Sequence, residues 1–168
     1  VAPTAHVGGD SYDQALTTGR AFADLLGSKG VIGKCIELQG ALTDINAVQR
    51  TKGWAEVVAE RSEVSTITQV PTEWNPELFR SGLANALRAN PDANCAFIAS
   101  DFAITAVQAA LEEADKWYPS GHPKHFWLAT QDVLPGAVPL MEAKYIDVST
   151  SYDAFAHSQE MVRVAIAI

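Results

Sequence analysis

The run Leu87-Arg88-Ala89-Asn90-Pro91-Asp92-Ala93-Asn94-Cys95-Ala96-Phe97-Ile98-Ala99-Ser100-Asp101 decides the fold. Its first part closes a helix, because the residue before a proline is pushed out of the α region and Asn90 precedes Pro91. A turn follows. Cys95 to Ala99 is apolar at every position, the pattern of a parallel strand covered on both faces. Ser100 and Asp101 then fall at the strand's carboxyl end, the edge at which open α/β sheets bind ligands.

The same alternation repeats outward from this run. A helix is expected over 11–26, stopped at Gly27, then a strand over 31–38 and a helix over 43–60 capped by Thr43 or Asp44. The β-branched stretch 64–70 reads as a strand. Asn75 as cap and Pro76 in the first turn open a helix over 76–89. After the Cys95 strand come a helix over 102–114, a loop over 117–124 marked by Pro119, Gly121 and Pro123, and a strand over 126–129. A short helix over 135–143, a strand over 145–149 and a helix from Ala154 onward complete the chain. Strands and helices alternating at this spacing give βαβ units with right-handed crossovers. The expected class is α/β, a three-layer Rossmann-like domain with a mostly parallel sheet and helices on both faces.

A chain of 168 residues is long enough for one domain with its own core, and no linker or repeat divides it. Hydrophobic content of 48% with 19% charged residues argues against disorder. The net charge of −8 is a poor match to nucleic acid or to an anionic membrane surface, and leaves a neutral or small ligand as the expected partner. No stretch reaches the roughly 20 apolar residues of a membrane span. The chain opens at Val1 and stops inside an apolar helical pattern at Ile168, so a piece of a longer protein is expected.

Most candidate motifs fail on chemistry. Gly27 to Lys34 has the wrong glycine spacing for a phosphate loop, places Cys35 after the lysine, and precedes its strand; it reads as a helix-ending turn. Cys35 and Cys95 match no zinc or redox spacing and read as two buried small hydrophobes. A disulfide stays open for an oxidising compartment, although joining neighbouring strands is expected to strain it. The histidines His6, His122, His125 and His157 lack metal-ligand spacing and read as surface groups, so no metal or cofactor is expected. Asp101 and Asp132 both fall at the carboxyl edge of the sheet. They could do acid–base work or accept from ligand hydroxyls, and Asp101 could simply cap a helix. Trp74, in a loop after a strand, is either a packing residue or a flat platform for the C–H face of a sugar ring.

Taken with their order, several segments resemble the second lobe of the periplasmic sugar-binding proteins of the ribose-binding type. Gly33-Lys34 through Ile36-Glu37-Leu38-Gln39-Gly40 is similar to that lobe's first strand and turn, and Gln49-Arg50-Thr51-Lys52-Gly53-Trp54 to its arginine then glycine-aromatic helix. Val70-Pro71-Thr72-Glu73-Trp74-Asn75 is similar to its aromatic-bearing loop, and Ala89-Asn90-Pro91-Asp92 through Ser100-Asp101 to the stretch ending on its Asn-Asp. The likeness runs over about 7–164.

The resemblance implies one lobe of a two-lobed type I binding protein, with the first lobe and hinge returns outside this chain. It implies a periplasmic or otherwise extracytoplasmic receptor that delivers a sugar or sugar alcohol to an ABC permease by hinge closure, with no catalysis. Ligand contacts carry over to Arg50 as a two-donor guanidinium, Trp74 as the ring platform, Asp132 as the acceptor from adjacent hydroxyls, and the positions of Ser100 and Tyr152. Here Ser100 stands in place of asparagine, Tyr152 in place of glutamine, and Thr130-Gln131-Asp132 in place of Gly-Phe-Asp. These departures weigh against ribose and leave another polyhydroxylated solute. The effector core of a lactose-repressor-type regulator shares the fold and is the first alternative. A small α/β enzyme using Asp101 and Asp132 is the second.

Overall fold

A computed structural model describes residues 7–167. Five strands form one sheet: β1 (Gly33–Gln39), β2 (Val64–Pro71), β3 (Cys95–Ile98), β4 (Trp127–Gln131) and β5 (Val148–Thr150). All neighbours are parallel and the order is β2-β1-β3-β4-β5. The helices are α1 (Ser11–Ser28), α2 (Ile45–Glu60), α3 (Pro76–Ala89), α4 (Ile104–Glu113), α5 (Val138–Glu142) and α6 (Ala154–Ala167). The chain steps outward from β1 to β2, then crosses back over β1 to reach β3. The winding therefore reverses between β1 and β3, which opens a crevice at their carboxyl ends.

Local chemistry sets most boundaries. Asp44, of the two expected caps, accepts from the Asn46 backbone N–H at 3.0 Å and starts α2. Asn75 accepts from Glu77 N–H at 2.9 Å, with Pro76 in the first turn of α3. The turn after α1 is the expected helix stop: Val31 N–H reaches back to the Leu26 carbonyl at 3.0 Å, and Gly30 supplies the left-handed φ of 66°. The helix expected over 102–114 begins as a 3-10 turn over Asp101–Ala103 and is α-helical only over Ile104–Glu113. Ser100 caps that turn through Phe102 N–H, so Asp101 is not the cap. The last strand starts at Val148, later than expected. The Asp147 carboxylate takes the Leu128 N–H at 2.8 Å, a donor that a longer ladder would have used.

The two sheet faces carry separate cores. Ile36, Leu38, Ala96, Ile98 and Leu128 pack under α3, α4 and α5 with Phe79, Leu83, Val107 and Leu111. On the other face Cys35, Cys95 and Phe97 pack under α1 and α2 with Phe22, Leu26 and Trp54. Trp54 stacks on Phe97 with centroids 4.4 Å apart, and its indole N–H donates to Thr66 Oγ1 at 2.8 Å, so the ring is buried without an orphan donor. Helices α1 and α2 meet so closely at Gly53 that a Cβ there would lie 2.5 Å from the Tyr12 carbonyl oxygen.

Two expectations are corrected here. Cys35 and Cys95 are not free: they sit directly opposite on β1 and β3, with Cα atoms 4.4 Å apart, and form a disulfide. His125 is not a surface group. It is buried, with Nδ1 2.7 Å from the Tyr118 carbonyl and Nε2 3.0 Å from the Asp147 carboxylate. Burial pushes its pKa down, but the Asp147 and Tyr118 hydrogen bonds outweigh burial and the net direction is up. Both partners only accept, so the protonated ring satisfies both. His122 and His157 are less enclosed, and His6 lies outside the described residues.

Candidate functional site

At the carboxyl edge the sheet delivers three elements to one point: α2 after β1, the turn after β3 and the loop after β4. Arg50 comes from α2 and lies almost entirely below the surface. One guanidinium nitrogen, Nη2, donates to Asp132 Oδ1 at 2.6 Å and to Gln14 Oε1 at 3.1 Å. The other, Nη1, donates to Asp132 Oδ2 at 3.2 Å and to the Ala99 carbonyl at 2.5 Å. The pair is thus the two-pronged arginine–carboxylate geometry, held in low dielectric where such bonds are strongest. Ser100 donates its hydroxyl to Asp132 Oδ2 as well. Arg50, Ser100 and Asp132, three of the expected site residues, are therefore one hydrogen-bonded cluster.

Arg50 and Asp132 line a cavity of about 580 Å³ together with Gln14, Asn46, Tyr152 and His157, while Ser100 supports Asp132 from behind and does not line it. Tyr152, a fourth expected site residue, is 44% exposed, lies against Gly9 and meets the His157 ring edge-on at 5.7 Å. Trp74 is placed differently. It does not line this cavity; its indole covers Gly40, where a Cβ would be 2.0 Å from the ring, and its N–H donates to Asp44 at 2.8 Å. It meets Phe102 edge-on at 6.0 Å, so it belongs to the rim beside the β1–α2 turn.

Gln14 was not anticipated as a site residue. The signal was in the sequence: Ser11, Gln14 and Thr18 fall three and four apart, one polar stripe along the helix beside its apolar face. Ser11 donates to Asn46, and Gln14 and Thr18 both reach Thr150 on β5. Glu37 was also missed as a functional candidate. It is buried in β1 beneath α2, accepts from Gln69 at 2.9 Å, and burial raises its pKa against the pull of the Gln69, Thr51 and Gln39 hydrogen bonds. The buried side-chain polar atoms without a partner among the described residues are Arg50 Nε and both amide atoms of Gln131, next in the chain to Asp132. Polar groups are thus concentrated under this edge of the sheet.

Asp101 and Asp132, the two carboxylates at this edge, have separate tasks. Asp132 faces the cavity and Arg50. Asp101 is buried and accepts from the Val133 and Leu134 backbone N–H groups at 3.0 and 3.1 Å. Burial raises the Asp101 pKa, the Leu134 N–H opposes it, and the nearby Asp132 charge adds to the rise. A carboxylate committed to two backbone donors is not free to shuttle protons. No group of three or more His, Cys, Asp or Glu side chains among the described residues is placed to hold a metal. The arrangement suits recognition: a buried arginine paired with a half-buried carboxylate, amides and hydroxyls facing a solvent-reaching cavity.

An open parallel sheet with a polar crevice at its winding reversal defines a ligand-binding α/β protein. This chain belongs to the family described as the periplasmic binding protein domain, whose model matches residues 2–168. Members of that family are binding proteins. A D-apiose import binding protein of Actinobacillus succinogenes is 28% identical over 107 residues, covering 64% of this chain and 34% of that one. Among solved structures, an ABC transporter solute binding protein from Bacillus halodurans C-125 with bound myo-inositol is similar at a TM-score of 0.83 and 22% identity, covering 97% of this chain and 54% of that one. An ABC transporter periplasmic solute binding protein from Actinobacillus succinogenes 130z with bound D-allose is similar at 0.82 and 21% identity, covering 95% and 54%. The chain spans about half the length of these two structures.

Proposed function

We propose that this chain is the second lobe of a two-lobed, extracytoplasmic receptor that binds a sugar or sugar alcohol and presents it to an ABC permease. The observation that carries the reading is the Arg50–Asp132–Ser100 cluster at the winding reversal. A carboxylate has about four acceptor positions, and Arg50 and Ser100 occupy three, leaving one turned to a ligand hydroxyl. Gln14, Asn46 and Tyr152 add donors and acceptors around it. Such sites reject an analogue lacking the hydroxyl, because the buried polar partner is then unpaired.

Two further features support a facing lobe on this side, and a third supports the compartment. Residues 7–9 and 151–152 line the same cavity, so the chain enters and leaves the fold at the crevice, as a hinge requires. Helix α6 buries no residue, and Phe155, Val162 and Ile166 are exposed along it. Those apolar side chains suit a cover supplied by another lobe. The disulfide fits an oxidising compartment and weighs against a cytosolic regulator.

The test is a tryptophan-fluorescence titration of the two-lobed protein against pentoses, hexoses and polyols, D-apiose, D-allose and myo-inositol included. A saturable change with one solute, weakened about a hundredfold or more in Asp132→Ala, is expected. A flat response across the panel overturns the sugar reading.

A further inference from the structure

The loop that presents Asp132 is held in a conformation its own residues disfavour. Asp132 has φ 93° and Val133 φ 54°, two consecutive left-handed residues without a glycine. For a β-branched valine that region is a true outlier, a strained conformation that persists only where the surrounding structure holds it. On one side the β5 ladder does so, through Asp132 N–H to the Thr150 carbonyl at 2.8 Å. On the other side the work falls to a single side chain. Asp101 Oδ2 accepts from Val133 N–H at 3.0 Å and from Thr130 Oγ1 at 3.4 Å, and Oδ1 accepts from Leu134 N–H at 3.1 Å. Successive backbone N–H groups converging on one anion form a nest, here filled from inside the protein.

We infer that Asp101 is a positioning residue, whose carboxylate locks the 132–134 loop in this left-handed shape and so aims the Asp132 carboxylate at Arg50 and Ser100. Its neighbour in the chain, Ser100, donates to Asp132 directly. Adjacent residues therefore fix one carboxylate in two ways, Ser100 through the side chain and Asp101 through the backbone. The 1% exposure of Asp101 keeps water from competing for either N–H. The purpose of this lock rests on the reading of Asp132 as the ligand acceptor, but the lock itself is measurable without any ligand.

The experiment uses the 168-residue chain, with amide hydrogen exchange and the side-chain ¹H–¹⁵N signals of Arg50 as readouts. In Asp101→Ala, exchange at Val133 and Leu134 rises by about tenfold or more, the size of a lost charge-assisted hydrogen bond, while Leu128 and Ala129 keep their protection. The slow-exchanging Arg50 guanidinium signals, which report pairing with Asp132, disappear with it. Adding Val133→Gly removes the larger part of the strain, that of the β-branched residue, and brings the Arg50 signals back. A residue that merely stabilised the fold would not be rescued at Arg50 by a glycine in the loop. Should Asp101→Ala fail to fold, Asp101→Asn takes its place, since an amide keeps one acceptor and faces the other N–H with a donor; partial loss at Val133, Leu134 and Arg50 is then expected. The inference is overturned if the Arg50 signals persist while Val133 and Leu134 exchange freely, if glycine gives no recovery, or if the asparagine variant matches the parent. None of these outcomes depends on which solute binds, so a failed sugar titration and a failed lock are told apart.

Discussion

The two faces of the sheet are built on opposite principles. Under α3, α4 and α5 the strands present Ile36, Leu38, Ile98 and Leu128, an apolar layer that turns polar only at the carboxyl edge, at Thr130 and Asp101. Under α1 and α2 the alternate residues of the same strands are Cys35, Glu37, Gln39, Phe97 and Gln131, a layer that mixes a disulfide and buried polar groups with aromatic packing. Because side chains alternate along a strand, one sheet can hold an insulating face and a recognition face back to back. The recognition face leads directly to Arg50 and Gln14, whose helices lie on it. The lesson is a division of labour: the apolar face carries stability, and the other carries the groups that a ligand site needs together with a covalent tie that offsets their cost.

That contrast is open to direct attack. The largest effect is expected from the tie itself. Reducing Cys35–Cys95, or replacing both by alanine, frees a 60-residue separation in the unfolded chain and lowers stability by about 4 kcal/mol. Urea unfolding with and without reductant measures it, and an unchanged midpoint would remove the tie from the argument. Next is Leu128→Ala on the apolar face, expected to cost about 3 kcal/mol through lost burial and a residual cavity, with the affinity for any solute bound at the Arg50–Asp132 edge unchanged. If affinity falls with stability, the faces are not separate. Gly53→Ala forces a methyl group against the fixed Tyr12 carbonyl between α1 and α2 and is expected to cost about 2 kcal/mol. Unlike Leu128→Ala it should also weaken solute binding, since it shifts the helices that carry Gln14 and Arg50.

The smallest effect is a pH dependence. Burial raises the Glu37 pKa, so the folded protein holds that proton more tightly than the unfolded chain does. Its contribution to stability is complete below the ordinary glutamate value and is lost as pH rises through the raised one. Glu37→Gln should flatten that part of the stability curve above pH ~4.3 and leave the alkaline side unchanged. Denaturant midpoints at a series of pH values decide it: curves for the two proteins that run parallel from acid to neutral would mean the carboxyl does not titrate on folding.

Much of the architecture could be read along the chain. Asn75-Pro76 fixed the start of α3, and Asn90-Pro91 its end, because caps and prolines act over a few residues whatever the rest of the protein does. The apolar Cys95 strand pointed to a sheet covered on both faces, and Ser100-Asp101 to its ligand edge. Asp132 was legible as a carboxylate at the sheet edge, but Arg50 only through the resemblance, because the two lie 82 residues apart with nothing local to join them. His125 looked like a surface group because its partner Asp147 lies 22 residues on, across a strand. Asp101 could be read as a helix cap, an acid–base group or a ligand acceptor, and is none of these, because its real partners belong to another loop.

The amino-acid sequence by itself determined the order of elements, the parallel sheet and the edge at which a ligand must bind, since periodicity, caps and breakers are local and every βαβ crossover has the same hand. Only the tertiary structure decided that Cys35 faces Cys95, that Gln14 joins Arg50, that Trp74 leans on Gly40 rather than into the cavity, and that Asp101 holds the loop behind Asp132. Each of these depends on strand register or helix rotation, which a one-residue slip would invert, and which packing across the whole domain must settle.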